Sequence, residues 1–189
     1  MCACCRRFNT NLFLALFVGL LATACKSPEE KKTADEASTL RLYLETEFDT
    51  TGEKTTVVPV YRSSPVLIRI SKEPLLDEGH LIDAEVVNTV GGFAIQLKYD
   101  FRGTLTLESV TSTYRNQRLA IYCNFTEGRW LAAPKMATRV KDGVLVFTPD
   151  ATREEAERIV RGLNNVATKL GNRLKRGKKA EEPQPGFKP

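Results

Sequence analysis

The sequence predicts an α+β fold: a mixed or antiparallel sheet covered by helices, in a single domain spanning residues 39–170. Three observations predict it. Short runs that alternate apolar and polar residues recur between Thr39 and Phe147, the mark of half-buried strands. Between two of these runs lies Gly91-Gly92, which supplies the positive φ that a tight hairpin turn requires. Beyond the last run, Thr152-Arg153-Glu154-Glu155 opens a stretch whose apolar residues recur every three or four positions, so a helix closes the domain.

In chain order, Thr39 to Glu47 places Leu40, Leu42 and Leu44 on one face of a strand and Arg41, Tyr43 and Glu45 on the other. A polar turn around Gly52 follows. Val57 to Ile70 is a second β region, in which Pro59 and Pro65 lack the N–H that a ladder needs, so it runs at an edge or bends there. Pro74 to Ala84 reads as a turn into a short helix with Asp77 as its N-cap. Glu85 to Tyr99 is the hairpin around the paired glycines.

Asp100 to Gln117 has two readings. Leu105, Leu107, Ser109 and Thr111 alternate as in a strand; with Asp100 as N-cap, Gly103, Leu107, Val110 and Tyr114 line one helical stripe. Leu119 to Phe125 and Trp130 to Ala133 are strands joined at Glu127-Gly128. Val144 to Phe147 is an apolar run suited to a covered strand. In the last helix Thr152 and Glu155 form a capping box, Ala156, Ile159, Val160, Leu163, Val166, Ala167 and Leu170 share one face, and Gly171 is the stop.

The formal charge of +5 belongs to the ends. Residues 1–24 carry +2 and residues 171–189 carry +4, whereas residues 39–170 hold 17 basic and 17 acidic side chains. A neutral domain argues against nucleic-acid binding, which needs a basic face for phosphates. The first 24 residues have the zones of an export signal: Arg6-Arg7, an apolar run from Leu12 to Ala22, and small residues before Cys25. Ala22-Thr23-Ala24-Cys25 resembles a bacterial lipobox, so Cys25 is the expected lipidation site and the mature N-terminus. Residues 25–38 lack bulky apolar side chains and form a tether reaching about 45 Å from the lipid surface. Residues 171–189 are expected to be a disordered basic tail, with Arg173, Lys175, Arg176, Lys178 and Lys179 as possible lipid contacts or simply solvated charges.

Candidate chemistry is sparse. His80, the single histidine, stands three residues from Asp83, a spacing open to a general base as well as to a solvated surface pair. Cys2, Cys4 and Cys5 fall in the segment that would be removed, which leaves Cys123 without a disulfide partner and reading as a small buried hydrophobe. No CxxC or His/Cys cluster offers metal ligands, and no cofactor motif is present. Phe125 and Trp130, beside the 125–128 turn, are candidate protein contacts because aromatics are enriched at interfaces.

Three segments together resemble the head subdomain of the first extracytoplasmic domain of SecD, the Sec translocon accessory protein. They are Glu73-Pro74-Leu75-Leu76 running into Leu81-Ile82-Asp83-Ala84, then Arg118-Leu119-Ala120-Ile121 followed by Ala132-Ala133-Pro134, and last Thr148 to Leu163 with Glu154-Glu155-Ala156. The resemblance implies a helix over Asp100 to Gln117, hence two main helices plus the short one. It departs at Tyr122 to Gly128, where the turn is longer and altered. No hydrophobic span is seen between the domain and Pro189, so no counterpart is expected here to the membrane helices that couple proton flow to movement in SecD.

These readings converge on an expected lipid-anchored protein of a bacterial cell membrane or outer membrane, facing the periplasm. Its SecD-head-like domain is expected to bind an exported polypeptide or an envelope complex, with no catalysis, cofactor, small-molecule substrate or nucleic acid. The alternative is a structural envelope lipoprotein without client recognition.

Overall fold

A computed structural model describes residues 35–47 and 53–173. The predicted signal, Cys25 and the tail beyond Arg173 lie outside the described residues. The strands are β1 (Thr39–Leu44), β2 (Thr55–Val60), β3 (Val66–Ser71), β4 (Leu81–Thr89), β5 (Gly92–Tyr99), β6 (Leu119–Asn124), β7 (Gly128–Ala132) and β8 (Val144–Phe147). The helices are α1 (Phe101–Thr113) and α2 (Arg153–Lys169), with one 3-10 turn at Glu78–His80. The α+β expectation holds, and the β structure is divided into three antiparallel pieces: β1-β6-β7, the hairpin β2-β3, and β4-β5-β8.

The β1-β6-β7 sheet is apolar on both faces. Leu40, Leu42, Leu119, Ile121, Cys123 and Leu131 join the main core with the inner residues of β4, β5 and β8 and the buried faces of both helices. The opposite face presents Tyr43, Ala120 and Trp130 to Val58, Val60, Ile68 and Ile70 of the β2-β3 hairpin, forming a second, smaller core. The period-two alternation of β1 and β6 therefore feeds two cores rather than one core and solvent. Pro59 sits in β2, a strand bonded only to β3, where its missing N–H costs no ladder bond.

The short helix expected over Pro74 to Ala84 is corrected to a single 3-10 turn. Asp77 does cap it, accepting from the Gly79 N–H at 3.0 Å, but Leu81 to Ala84 belong to β4 and pair with β5. A lone helical turn gains few bonds for the dihedrals it fixes, so the nine-residue strand wins.

Asp100 to Gln117 is resolved as a helix. The Asp100 carboxylate accepts from the Gly103 N–H at 2.7 Å, and Gly103, Leu107, Val110 and Thr111 are buried. A Cβ on Gly103 would lie 2.8 Å from Tyr99 Cβ, so the residue lets α1 approach the end of β5. Tyr114, assigned to the stripe in the sequence, is exposed at the C-cap instead.

In α2 the Thr152 hydroxyl accepts from the Glu155 N–H at 3.2 Å. The reciprocal half of the capping box is absent, because the Glu155 carboxylate binds Arg129 on β7. Ala156, Ile159, Val160, Leu163 and Ala167 are buried as the spacing requires, whereas Leu170 is exposed. Gly171 at φ +81° ends the helix in a Schellman arrangement, with Asn172 N–H donating to Ala167 O and Gly171 N–H to Thr168 O.

Packing extends past both boundaries drawn from composition. Glu36 accepts from Arg158 and Arg161 on α2, and Asn165 donates to its carbonyl. Arg173 meets Asp83 at 2.7 Å and Asn172 donates to Gly79 O.

Candidate functional site

The residues singled out in the sequence are placed apart. His80 Nδ1 lies 3.2 Å from Asp100 Oδ2, while Asp83 pairs with Arg173. His80 and Asp83 therefore serve different partners. Burial pushes the Cys123 thiol up to about 12, with Arg129 pulling it down and Glu155 pushing it up, so it remains a protonated, buried thiol at neutral pH. Among the described residues no three His, Cys, Asp or Glu side chains are grouped to hold a metal ion.

Phe125 and Trp130 lie near opposite faces of one sheet. Phe125, in the turn after β6, packs against the main core with the Arg158 guanidinium 4.9 Å over its ring. Trp130 is half-buried on the other side, edge-on to Tyr43 at 5.3 Å and to Tyr122 at 5.1 Å. One aromatic patch cannot contain both.

Phe125 lines a cleft of about 180 Å³ with Arg62, Cys123, Arg129 and Glu155. Its charges satisfy one another. The Arg62 N–H donates to Asp150 Oδ2 at 2.7 Å and its guanidinium reaches Glu155 at 3.6 Å, while Arg129 donates to the Asp150 carbonyl at 2.6 Å and to Glu155. Two arginines from the hairpin loop and from β7 thus clamp the start of α2. The cluster fixes elements in place, and the Glu155 carboxylate that shares the cleft with the cysteine is engaged by both arginines.

The strand edges distinguish this domain further. β1 exchanges bonds with Leu75 and Leu76, the Arg69 carbonyl of β3 accepts from Thr46, and the Leu131 carbonyl of β7 accepts from Asp150. β4 is closed from a helix: the Asn164 amide accepts from Ala84 N–H at 2.9 Å and donates to Ala84 C=O at 2.8 Å. One side chain thereby imitates a neighbouring strand. Sequence reasoning missed Asn164, and its sole signal is a polar residue beside Leu163 on the buried flank of the helix. The same reasoning missed the edge of β8, whose pairing depends on which way each amide turns.

No family model matches the chain, and no curated protein matches it. Solved structures do. One, described as a structure of the membrane component SecDF that enhances protein export, aligns over 76% of this chain and 71% of its own, at TM-score 0.52 and 20% identity. The fold is shared with SecDF. A second SecDF structure, in a super-membrane-facing form, aligns at the same TM-score and identity over 74% of this chain, which spans 21% of that longer SecDF chain. The SecD-head resemblance carried by the three sequence segments therefore agrees with the fold. Segment one enters β4, segment two forms β6 and the end of β7, and segment three leads into α2. Among the described residues no helix is long and apolar enough to cross a membrane.

Proposed function

We propose that this protein is a membrane-anchored extracytoplasmic lipoprotein whose SecD-head-like domain binds polypeptide, an exported chain or an envelope complex, without catalysing a reaction. The observation that carries this reading is the fold shared with SecDF, itself described as enhancing protein export. Two further features support it: the ionic clusters are internally paired, and the lone described cysteine is buried in its protonated form. In this reading residues 1–24 are the signal, Cys25 carries the lipid, and residues 25–38 are the tether, of which Glu36 meets α2. The protein faces the periplasm from a bacterial membrane. Phe125 and Trp130 are the contact residues proposed on the β6–β7 hairpin, Phe125 through the rim it shows at the cleft.

The test is photo-crosslinking of the full-length chain in intact cells, with the probe on the domain surface. Capture of defined polypeptides above the level of a probe-free control is expected. No captured protein would reject client binding and leave a structural envelope role. Lipid anchoring is checked separately: labelled fatty acid that still enters a Cys25→Ser chain would refute lipidation at that residue.

A further inference from the structure

The register of β5 against β8 fixes which way each β8 amide turns. Tyr99 N–H donates to Gly143 O at 3.0 Å, and Leu97 faces Leu145 while Ile95 faces Phe147. In an antiparallel ladder residues 143, 145 and 147 then turn their main-chain groups toward β5, and Val144 and Val146 turn theirs away. The Val144 N–H folds back onto Asp142 Oδ1 at 3.2 Å. Val144 C=O and both main-chain groups of Val146 have no partner among the described residues, and Val146 is 47% exposed. The edges of β1, β4 and β7 are met by other parts of the chain, and that of β2 carries Pro59.

Beside this open edge lies an apolar pocket of about 260 Å³, floored by Leu119, Met136 and Leu145 and walled by Pro134 and Val140. Its rim is basic. Lys135 and Lys141 are exposed with no ion-pair partner among the described residues, whereas the neighbouring Arg139 is taken by Glu108.

We infer that the β8 edge takes an extended polypeptide segment by strand addition, seating one apolar side chain in the Met136 pocket and acidic neighbours against Lys135 and Lys141. The assignment rests on the polypeptide-binding reading above and gives it a place. Main-chain donors and acceptors recognise any extended backbone, and the pocket selects for one bulky apolar residue. Two copies joined through their β8 edges would bring two basic rims together, so charge disfavours a second copy as the occupant. The strand has four residues, between the Gly143 turn and Pro149, so the added segment is short.

The full-length chain, purified in mild detergent, is titrated with a fluorescein-labelled peptide that has a Val-Leu-Val centre and glutamate flanks. Val146→Pro removes an outward N–H that bonds nothing in the fold, whereas Val146→Thr keeps it. Saturable binding is expected, weakened about tenfold or more by Val146→Pro and little by Val146→Thr. Ala137→Trp, on the exposed rim, blocks the pocket without altering the strand and is expected to weaken binding to a similar degree. Binding that survives both Val146→Pro and Ala137→Trp would overturn the site and leave polypeptide binding standing. Absence of binding to this peptide and to unfolded polypeptides generally would overturn both. A dimer in sedimentation that Val146→Pro dissolves would assign the edge to a second copy and overturn the inference.

Discussion

Replacing Asn164 with alanine tests how the sheet is closed. The substitution deletes one donor and one acceptor that meet the main chain of Ala84, a residue 3% exposed. Two neutral hydrogen bonds contribute about 0.5–1.5 kcal/mol each, and leaving buried partners unpaired adds to the loss. Helix propensity opposes this, because alanine exceeds asparagine by up to about 0.7 kcal/mol at an interior position. The loss wins by about 1–2 kcal/mol. For a domain of this size that lowers the thermal midpoint by about 4–8 °C. Scanning calorimetry and urea titration give the number, and amide exchange at Ala84 locates it, since that N–H loses its acceptor. Asn164→Asp retains the acceptor but turns a carboxylate toward the Ala84 carbonyl, so it falls at least as far. An unchanged or raised midpoint for Asn164→Ala would show that α2 sits on β4 through its apolar face alone, and that the side-chain bridge contributes nothing.

Three further outcomes are expected. Asp100 is held below the usual carboxylate range: burial pushes it up, but the Gly103 N–H, the His80 ring and the Arg102 N–H together outweigh burial. Its stabilisation is complete above the unfolded value near 3.9 and is lost as pH falls through the lower folded value. Asp100→Asn keeps the helix cap and abolishes this component of acid sensitivity; identical urea midpoints against pH for the two proteins would refute it. Cys123, its thiol raised to about 12 by burial, is expected to react with maleimide far more slowly in the folded protein than in urea, with little acceleration between pH 7 and about pH 9; rapid native labelling would refute the buried assignment. Leu163→Ala removes a side chain with no exposure from the face of α2, and a loss of about 2–5 kcal/mol is expected in chemical denaturation.

Elements with strong local chemistry were legible from the sequence. Thr152, Gly171 and the apolar spacing between them define α2 because caps and stripe agree. The alternation of β1 was equally clear, although nothing local says that Tyr43 faces a second core. α1 was ambiguous for a physical reason. Three of its threonines and one of its serines, residues that favour strands or turns in isolation, return their hydroxyls to carbonyls one turn back: Thr104 to Asp100, Thr106 to Arg102, Thr111 to Leu107 and Ser112 to Glu108. Phe101 and Leu105 on its exposed side also blur the stripe. Pro74 to Ala84 misled in the opposite sense, since a valid cap at Asp77 carries no information about where the helix stops. The site features were hidden because each joins distant residues: Asn164 meets Ala84 across 80 positions and Arg129 meets Glu155 across 26. The open β8 edge depends on the parity of a register, which no local pattern reveals.

The contacts of Glu36 have a mechanical consequence. A pull on the chain from its N-terminal side reaches Glu36 before it reaches β1. The load is taken first by Arg158, Arg161 and Asn165, all on one flank of α2. Exposed ion pairs of this kind resist weakly, at about 0.2–1 kcal/mol each, so they yield as a fuse. Force then passes to the six-residue ladder between β1 and β6, the middle strand of its sheet. Tension on this end is therefore expected to free a few residues at Glu36 before it loads the β1–β6 ladder.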